Sequence, residues 1–330
     1  MGINAVAASF ILHEHKHRPI EGTVLTIGRQ SVGLTAPELD TLLTRFDVPK
    51  RPVEYQIDEQ TVGVSRAKPY ITQESFFAAF TDAKVASLDV SDYEQADVVC
   101  DLQGTLPKMY HGYADFIFNG SCLDNIFDPA AALRNMSLLA KPQGRIYSFE
   151  QGNAHPTAYV KYSADWFMDY YALNRFADCK TYIVDVPNSI GVPLISGPNA
   201  YTFSAPKSPY ALVVHAYNPF VVHATGEGYD CSSVELFSRY EIHCLAEKSE
   251  LSTHDRNPIQ KHYRTDATHK TVCDESAKRF LHSPRPLFSN GIAFDAATIP
   301  RIDSSDYPEQ MRCVAVFTHG YPTAMEKPGA

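Results

Sequence analysis

The sequence is short of the marks that define several protein classes, and each shortage narrows the field. It has no run of the ~18 apolar residues that a membrane-crossing helix requires, so no span is expected. Its seven cysteines are odd in number and irregularly spaced, with no CxxC pair, and so form no disulfide framework. Cys100, Cys122 and Cys179 lie inside apolar runs and read as buried thiols in a reducing compartment. Lys and Arg are scattered and the net charge is −9, the opposite of the concentrated basic surface that phosphate backbones select. No partner nucleic acid and no membrane is expected; small or neutral substrates suit this balance. There is no GxGxxG spacing, which argues against a nicotinamide cofactor and hence against an epimerase or dehydrogenase of nucleotide sugars. No internal repeat or low-complexity run is present. The apolar run Ile3 to Leu12 lacks a basic leader and a cleavage site, and it continues into His13, Glu14, His15, Lys16, His17 and Arg18. It reads as a helix rather than a signal peptide, and a cytoplasmic protein is expected.

What is present is an alternation of strand and helix patterns over 330 residues, of which 44% are apolar, enough for a sizeable core. TVLTIG (23–28) is a β-branched run ending in glycine, a buried strand followed by a turn. Ala36 to Phe46 carries Leu39, Leu42, Leu43 and Phe46 at helical spacing, with Pro37 where a missing N–H is harmless. Val48 to Tyr70 reads as loop with short helical pieces, and Gln73 to Phe80 as a helix. KVASLDV (84–90), DVVCDL (97–102) and DFIFNG (115–120) read as strands. Pro129 to Ala140 is an amphipathic helix stopped by Lys141-Pro142-Gln143-Gly144, and the strand Arg145 to Glu150 follows. A helix from Ala164 to Phe176 and a strand from Lys180 to Val186 complete the alternation. The pattern predicts an α/β fold, a doubly wound and mostly parallel sheet with helices on both faces. EIHCLAE (241–247) is the candidate for its last strand. ALVVHAYNPFVVHA (211–224) is strand-like, and beyond Ser249 the strong strand candidate is CVAVFTH (313–319).

Ligands of open α/β sheets bind outside the carboxyl ends of the strands, where the strand order reverses. The first strand ends at Gly28, Arg29, Gln30 and Gly33, where glycine lets a backbone approach a ligand. The second ends at Asp89 and Val90, and a carboxylate there accepts two hydrogen bonds from a ribose diol. Asp101-Leu102 ends the third and Asn119-Gly120-Ser121 the fourth. A strand-end acid following a glycine turn is a nucleoside-binding arrangement, although Asp89 would equally serve as a helix cap and Asp101 as a turn cap.

The longer text is more specific. DVSDYEQADVVCDLQGTLP and YADFIFNGSCLDNIFDPAAALRNMSLLAKPQGRIYSF closely resemble class I S-adenosylmethionine-dependent methyltransferases of the type that modifies small molecules and sugars. That family's "LEH-V-DP" segment reads here Leu123-Asp124-Asn125-Ile126-Phe127-Asp128-Pro129, and its "LKPGG" turn reads Ala140-Lys141-Pro142-Gln143-Gly144. The resemblance covers roughly residues 20–185. It implies a Rossmann-like methyltransferase fold and S-adenosyl-L-methionine as cofactor, held by Gly28, Arg29, Gln30, Asp89, Val90, Asp101, Leu102, Asn119 and Gly120. By the same analogy the last strand is antiparallel, and GNAHPTAYVKYSADWF faces the substrate. Two departures stand out: the glycine loop has become Gly28-Arg29-Gln30-Ser31-Val32-Gly33, and the family's frequent histidine is Asn125, which cannot act as a base.

The expected activity is methyl transfer to a small acceptor, an oxygen of a sugar or related metabolite. The alternative is a catalytically silent relative that binds a nucleoside or a protein partner. His155, in a loop at the carboxyl edge, is the candidate base, because imidazole titrates near neutrality. Asn125, Tyr159 and Tyr162 are the candidate substrate-side residues. His13 and His17 are one helical turn apart, and His215 and His223 flank a strand-like run, but no third ligand is spaced to complete a metal site. The expected organisation is an N-terminal helix (1–20), a methyltransferase-like domain (21–248) with a substrate-side insertion at about 187–230, and a C-terminal extension (249–330).

Overall fold

The structure, a computed structural model, describes residues 2–61, 68–153, 158–187, 208–218, 239–260, 265–299 and 311–321. The chain opens on a two-residue strand, β1 (Gly2–Ile3), and enters α1 (Ala5–His17), where Asn4 Oδ1 caps the first turn by accepting from Ala7 N at 2.8 Å. From Ala5 to Leu12 every α1 residue is buried, so this helix is wrapped by core rather than laid on it. β2 (Thr23–Ile27) follows and ends at Gly28, and β3 (Ser31–Val32) pairs in parallel with β1. α2 (Ala36–Arg45) begins as the sequence predicts, with Pro37 in its first turn and Glu38 Oε2 accepting from Thr35 N at 2.7 Å. Next come α3 (Gln73–Ala78), β4 (Lys84–Asp89), β5 (Val98–Val99) and β6 (Ala114–Gly120). Then α4 (Pro129–Leu139), β7 (Ala140–Gln151), α5 (Ala164–Leu173), β8 (Asp178–Val186), β9 (Tyr210–Tyr217) and β10 (Arg239–Glu247) complete the strand-rich part. The tail adds α6 (Ala267–Leu281) and β11 (Met311–Thr318).

The main sheet has nine strands in the order β11-β9-β8-β10-β7-β6-β2-β4-β5. Strands β5, β4, β2, β6 and β7 are mutually parallel, and β10 enters between β7 and β8 running antiparallel to both. The doubly wound α/β fold is therefore the one expected, with EIHCLAE as its reversed strand. One face is covered by α1, α2 and α3 over Phe116, Phe118, Tyr147, Phe149 and Tyr182. The other is covered by α4 and α5, with Phe280 of α6, over Ile117, Ile146, Ile183 and Ile242.

Several local readings change. The third strand is cut to two residues because the chain turns at Asp101, whose Oδ1 accepts from Gln103 N at 2.8 Å. Lys141-Pro142-Gln143-Gly144 is a bulge inside β7 rather than a turn before it: Ala114 faces Ala140, yet Phe116 faces Arg145. Gly144 is required there, since a Cβ would stand 2.7 Å from the Lys141 carbonyl oxygen. The short helical pieces expected between Val48 and Tyr70 are not found among the described residues, and an isolated bridge pairs Ile57 with Ile71. ALVVHAY, expected as strand-like within the stretch at about 187–230, is β9 of the main sheet, while residues 219–224 lie outside the described residues. Helix α6 is missing from the sequence reading. Its buried positions Val272, Cys273, Ser276, Ala277 and Phe280 recur at helical spacing, but two are small and one is polar, so the apolar stripe is faint.

At the edge of the sheet opposite the carboxyl ends lies a buried ionic knot. Glu14 of α1 is paired with Arg145 of β7 at 2.9 Å and with Arg285 of the tail. Arg285 also reaches Asp178 of β8 at 2.7 Å and Glu247 of β10 at 2.8 Å. Arg285 and Glu14 are only 3% and 2% exposed at their side chains, so this pair is shielded from water, while Glu247 forms the half-buried outer end of the knot. Beside the knot, Phe288 stacks on Phe10 of α1 at 3.9 Å between ring centroids, drawing the tail into the α1 face of the core. Burial opposes the Glu14 charge, but the Arg285 and Arg145 guanidiniums outweigh it and hold its carboxyl below the ordinary value. A depressed carboxylate stabilises the fold above its unfolded pKa of about 4.3 and ceases to do so as pH falls through its lower folded value. Replacing Arg285 by Met leaves Glu14 and Asp178 short of a buried partner and should cost roughly 3–5 kcal/mol in urea unfolding at pH 7. The loss should shrink as pH falls below Glu14's unfolded pKa of about 4.3 and through its lower folded value. An R285M protein as stable as wild type at pH 7 would show that the knot is idle.

Candidate active site

The strand order reverses between β2 and β6, so the crevice opens above their carboxyl ends. Gly28 closes β2 with φ of 70°, a left-handed conformation that favours glycine, and its N–H donates to Leu88 O of β4 at 2.7 Å. A Cβ placed on Gly28 would sit 3.5 Å from Cys122 Sγ, 3.6 Å from Asp89 Oδ2 and 3.8 Å from Gln30 Nε2, so these groups converge on one point. Asp89 stands at the end of β4, with Oδ1 taking Ser91 N at 3.3 Å. Val90, next to it, is largely exposed and flanks the crevice.

Two of the expected loop contacts are committed elsewhere. Arg29 turns to Glu74 of α3, 3.0 Å away, and serves as a strut between loop and helix. Gln30 turns inward and is 1% exposed: its N–H donates to Gln73 Oε1 at 2.9 Å and its Nε2 to the Ile27 carbonyl. Its Oε1 is buried without a hydrogen-bond partner and presses on Gly120, where a Cβ would stand 2.3 Å from it. Gly120 thus makes room for the Gln30 carboxamide.

Further along the edge, Asp101 caps its own turn, and Leu102 is a core residue whose carbonyl accepts from Asn135 Nδ2 at 2.7 Å. Asn119 is fully buried, with Nδ2 donating to Glu150 Oε1 at 2.6 Å and Oδ1 accepting from Cys122 N at 3.1 Å. Asn125 Nδ2 donates to Ser121 O and to Asp124 Oδ1, which closes the short turn Leu123–Asn125. Tyr162 is buried, its hydroxyl donating to Leu123 O at 2.9 Å, so it supports the turn rather than facing outward. Tyr159 is exposed and meets exposed Phe127 edge-on at 6.1 Å, forming an aromatic lip over that turn. His155 and His223 lie outside the described residues. His13 packs against Phe288, and burial pushes its imidazole down to about 4; His215 is lowered to about 4 for the same reason. Among the described residues no group of three or more His, Cys, Asp or Glu side chains is placed to hold a metal ion.

Glu150 was missed as a site residue. It ends β7 at the same edge, and its carboxyl accepts from Asn119 Nδ2, Leu123 N at 3.2 Å and Asp124 N at 3.1 Å. The strand-end rule that picks out Asp89 applies to it equally. Burial, then the nearby Asp124 charge, raise its pKa well above the ordinary value despite these three donors.

No protein-family model and no curated protein sequence matches the chain. Among solved structures it is similar to an O-methyltransferase from a polyketide synthase of Brevibacillus brevis, in complex with S-adenosyl-L-homocysteine. That likeness has 10% identity, 84% of this chain and 77% of that one covered, and a TM-score of 0.37. A SAM-dependent methyltransferase from Archaeoglobus fulgidus gives 12% identity, 73% and 94% coverage and a TM-score of 0.34. A protein described as a Zn-dependent alcohol dehydrogenase from Rhodobacter sphaeroides gives 16% identity and a TM-score of 0.28, with 47% of this chain covered and about half (49%) of that one.

A carboxyl with a raised folded pKa stabilises the fold fully below its unfolded value of about 4.3 and progressively less as pH rises toward the folded one. Glu150→Gln removes that titration. The melting-temperature gap between wild type and E150Q should therefore narrow, or reverse, between pH 5 and pH 8. A gap that is constant across that range would mean that Glu150 is charged in the folded state.

Proposed function

We propose that the chain is a class I S-adenosylmethionine-dependent methyltransferase acting on a small acceptor, an oxygen of a sugar or related hydroxylated metabolite. The observation that carries the reading is the pairing of left-handed Gly28 with the Asp89 carboxylate on adjacent parallel strands, beside the point where the strand order reverses. The sequence resemblance over residues 20–185 and the antiparallel β10 that it implies support the same reading. The residues also suit the cofactor chemically. Asp89 offers acceptors for a ribose diol, and Gly28 admits close approach. When bound, S-adenosylmethionine supplies an electrophilic methyl group. The chain's own task is to align the acceptor oxygen with it and to remove the hydroxyl proton.

In this reading His155 takes that proton, and Tyr159 with Phe127 grips the acceptor at the aromatic lip. No metal is needed, and the protein works in the cytoplasm; no helix among the described residues is long and apolar enough to cross a membrane. The second reading, a silent domain that binds a nucleoside or a protein partner, is favoured by the Gln30 carboxamide, which fills the space beside Gly120. Calorimetry with S-adenosylmethionine separates the two: micromolar affinity supports the enzyme, and no binding supports the silent domain.

Asp89→Ala removes two hydrogen bonds to a charged acceptor, each worth roughly 1.5–3 kcal/mol, so cofactor affinity should fall at least about tenfold. A folded D89A protein with unchanged affinity would remove Asp89 from the site. For His155→Ala, turnover should fall about a hundredfold with cofactor affinity unchanged, the range typical of general base catalysis. Retention of most turnover would leave alignment alone, or another base, to perform the transfer.

A further inference from the structure

We propose that the N-terminal strand β1 is a working part of the ligand-binding loop, holding Gly28–Gly33 in a shape that glycines would otherwise have to provide. The inference rests on the reading of this crevice as the cofactor site. A glycine-rich loop is shaped by backbone freedom, because glycine alone enters the left-handed region cheaply. Here the four residues between Gly28 and Gly33 are not glycines, and in this stretch only Gly28 has a positive φ. Ser31 and Val32 instead run extended as β3, which β-branched valine favours.

Two extended residues do not hold themselves in place, since a strand is fixed by its ladder. The partner is β1: Gly2 faces Ser31, Ile3 faces Val32, and Gly33 N donates to Ile3 O at 2.9 Å. The approach is close enough to exclude any side chain at position 2, where a Cβ would stand 1.9 Å from the Ser31 carbonyl oxygen. Ile3 and Val32 are wholly buried, so the ladder is backed by core. Strand β1 cannot drift, because Asn4 joins it directly to the cap of α1 and α1 is anchored at its far end by Glu14. With the loop drawn out in this way, Gln30 N reaches Gln73 and the Gln30 side chain folds into the crevice. The geometry at Gly28 and Gln30 is thus set from the N-terminus.

The test uses the full chain with any tag at its C-terminus, and S-adenosylhomocysteine as the probe. Gly2→Val separates the two backbones. It should weaken the probe at least about tenfold, the scale of leaving a few loop residues to be ordered on binding, and should speed hydrogen exchange at Gly33. Asp266→Ala is the control: it loses the cap of α6, whose Asp266 carboxylate accepts from His269 N at 3.0 Å, and lowers the melting temperature, but it is remote from the ladder and leaves the affinity intact. Should G2V not fold, Gly33→Pro removes the ladder's donor from the other side and is judged by probe affinity, since proline has no amide hydrogen to exchange. Fast exchange at Gly33 with unchanged affinity overturns the inference while leaving the cofactor reading in place. Affinity lost equally in G2V and D266A overturns it too, since the effect is then general destabilisation. Absence of binding by the wild-type chain removes the cofactor reading itself, and the inference with it.

Discussion

The arrangement depends on one buried carboxylate, Glu14. It sits near the end of a helix wrapped by core, and its charge is tolerable only because Arg145 and Arg285 both meet it. These partners come from the middle of the sheet and from the tail, so α1, β7 and residue 285 must be brought together for the Glu14 charge to be fully met. Asp178 and Glu247 complete the neutralisation of Arg285 and bring β8 and β10 into the same constraint. Hydrophobic burial alone would let α1 slide along its own axis, since its apolar surface is continuous. An ion pair with directional hydrogen bonds does not slide.

That fixed axis has consequences at the opposite edge of the sheet. The amino end of α1 carries β1, β1 pairs with β3, and β3 is the continuation of the loop that leaves Gly28. Charge pairing at one edge is in this way linked to backbone geometry at the other through a rigid helix. The tail takes part in both halves of the link, because Arg285 holds the charge and Phe288 stacks on Phe10 within the same helix.

The carboxylates at the site edge divide into two kinds. Asp89 is partly open to solvent and faces the point where Gly28, Cys122 and Gln30 converge. Glu150 is sealed beneath the turn at Leu123–Asn125 and satisfies that turn's amides together with Asn119. One stands open at the crevice, and the other keeps the wall beside it in position. Tyr162, Asn125 and Asp124 belong with Glu150 in this wall, whereas Tyr159 and Phe127 remain outside it as exposed rings.

Most of the strands and the helix α2 were legible in the sequence, because β-branched runs, leucines at helical spacing and Pro37 express local preferences. Asp89 and Gly28 were legible too, since a strand-end position carries its meaning with it once the alternation of strand and helix is recognised. Gln30 was legible as a residue of the loop that leaves β2, but not as one folded in against Gly120. Glu150, near the end of β7, stands where the same rule points, but its burial under the Leu123–Asn125 turn is set by tertiary contacts. The sequence by itself therefore determined the α/β alternation, the crevice edge and the residues presented there. Tertiary structure alone decided the β1–β3 ladder, the bulge at Lys141–Gly144, helix α6 and the meeting of Glu14 with Arg285. The physical reason is range: local preferences are written in neighbouring residues. A two-residue ladder or an ion pair across 271 positions exists only when distant segments bury one another.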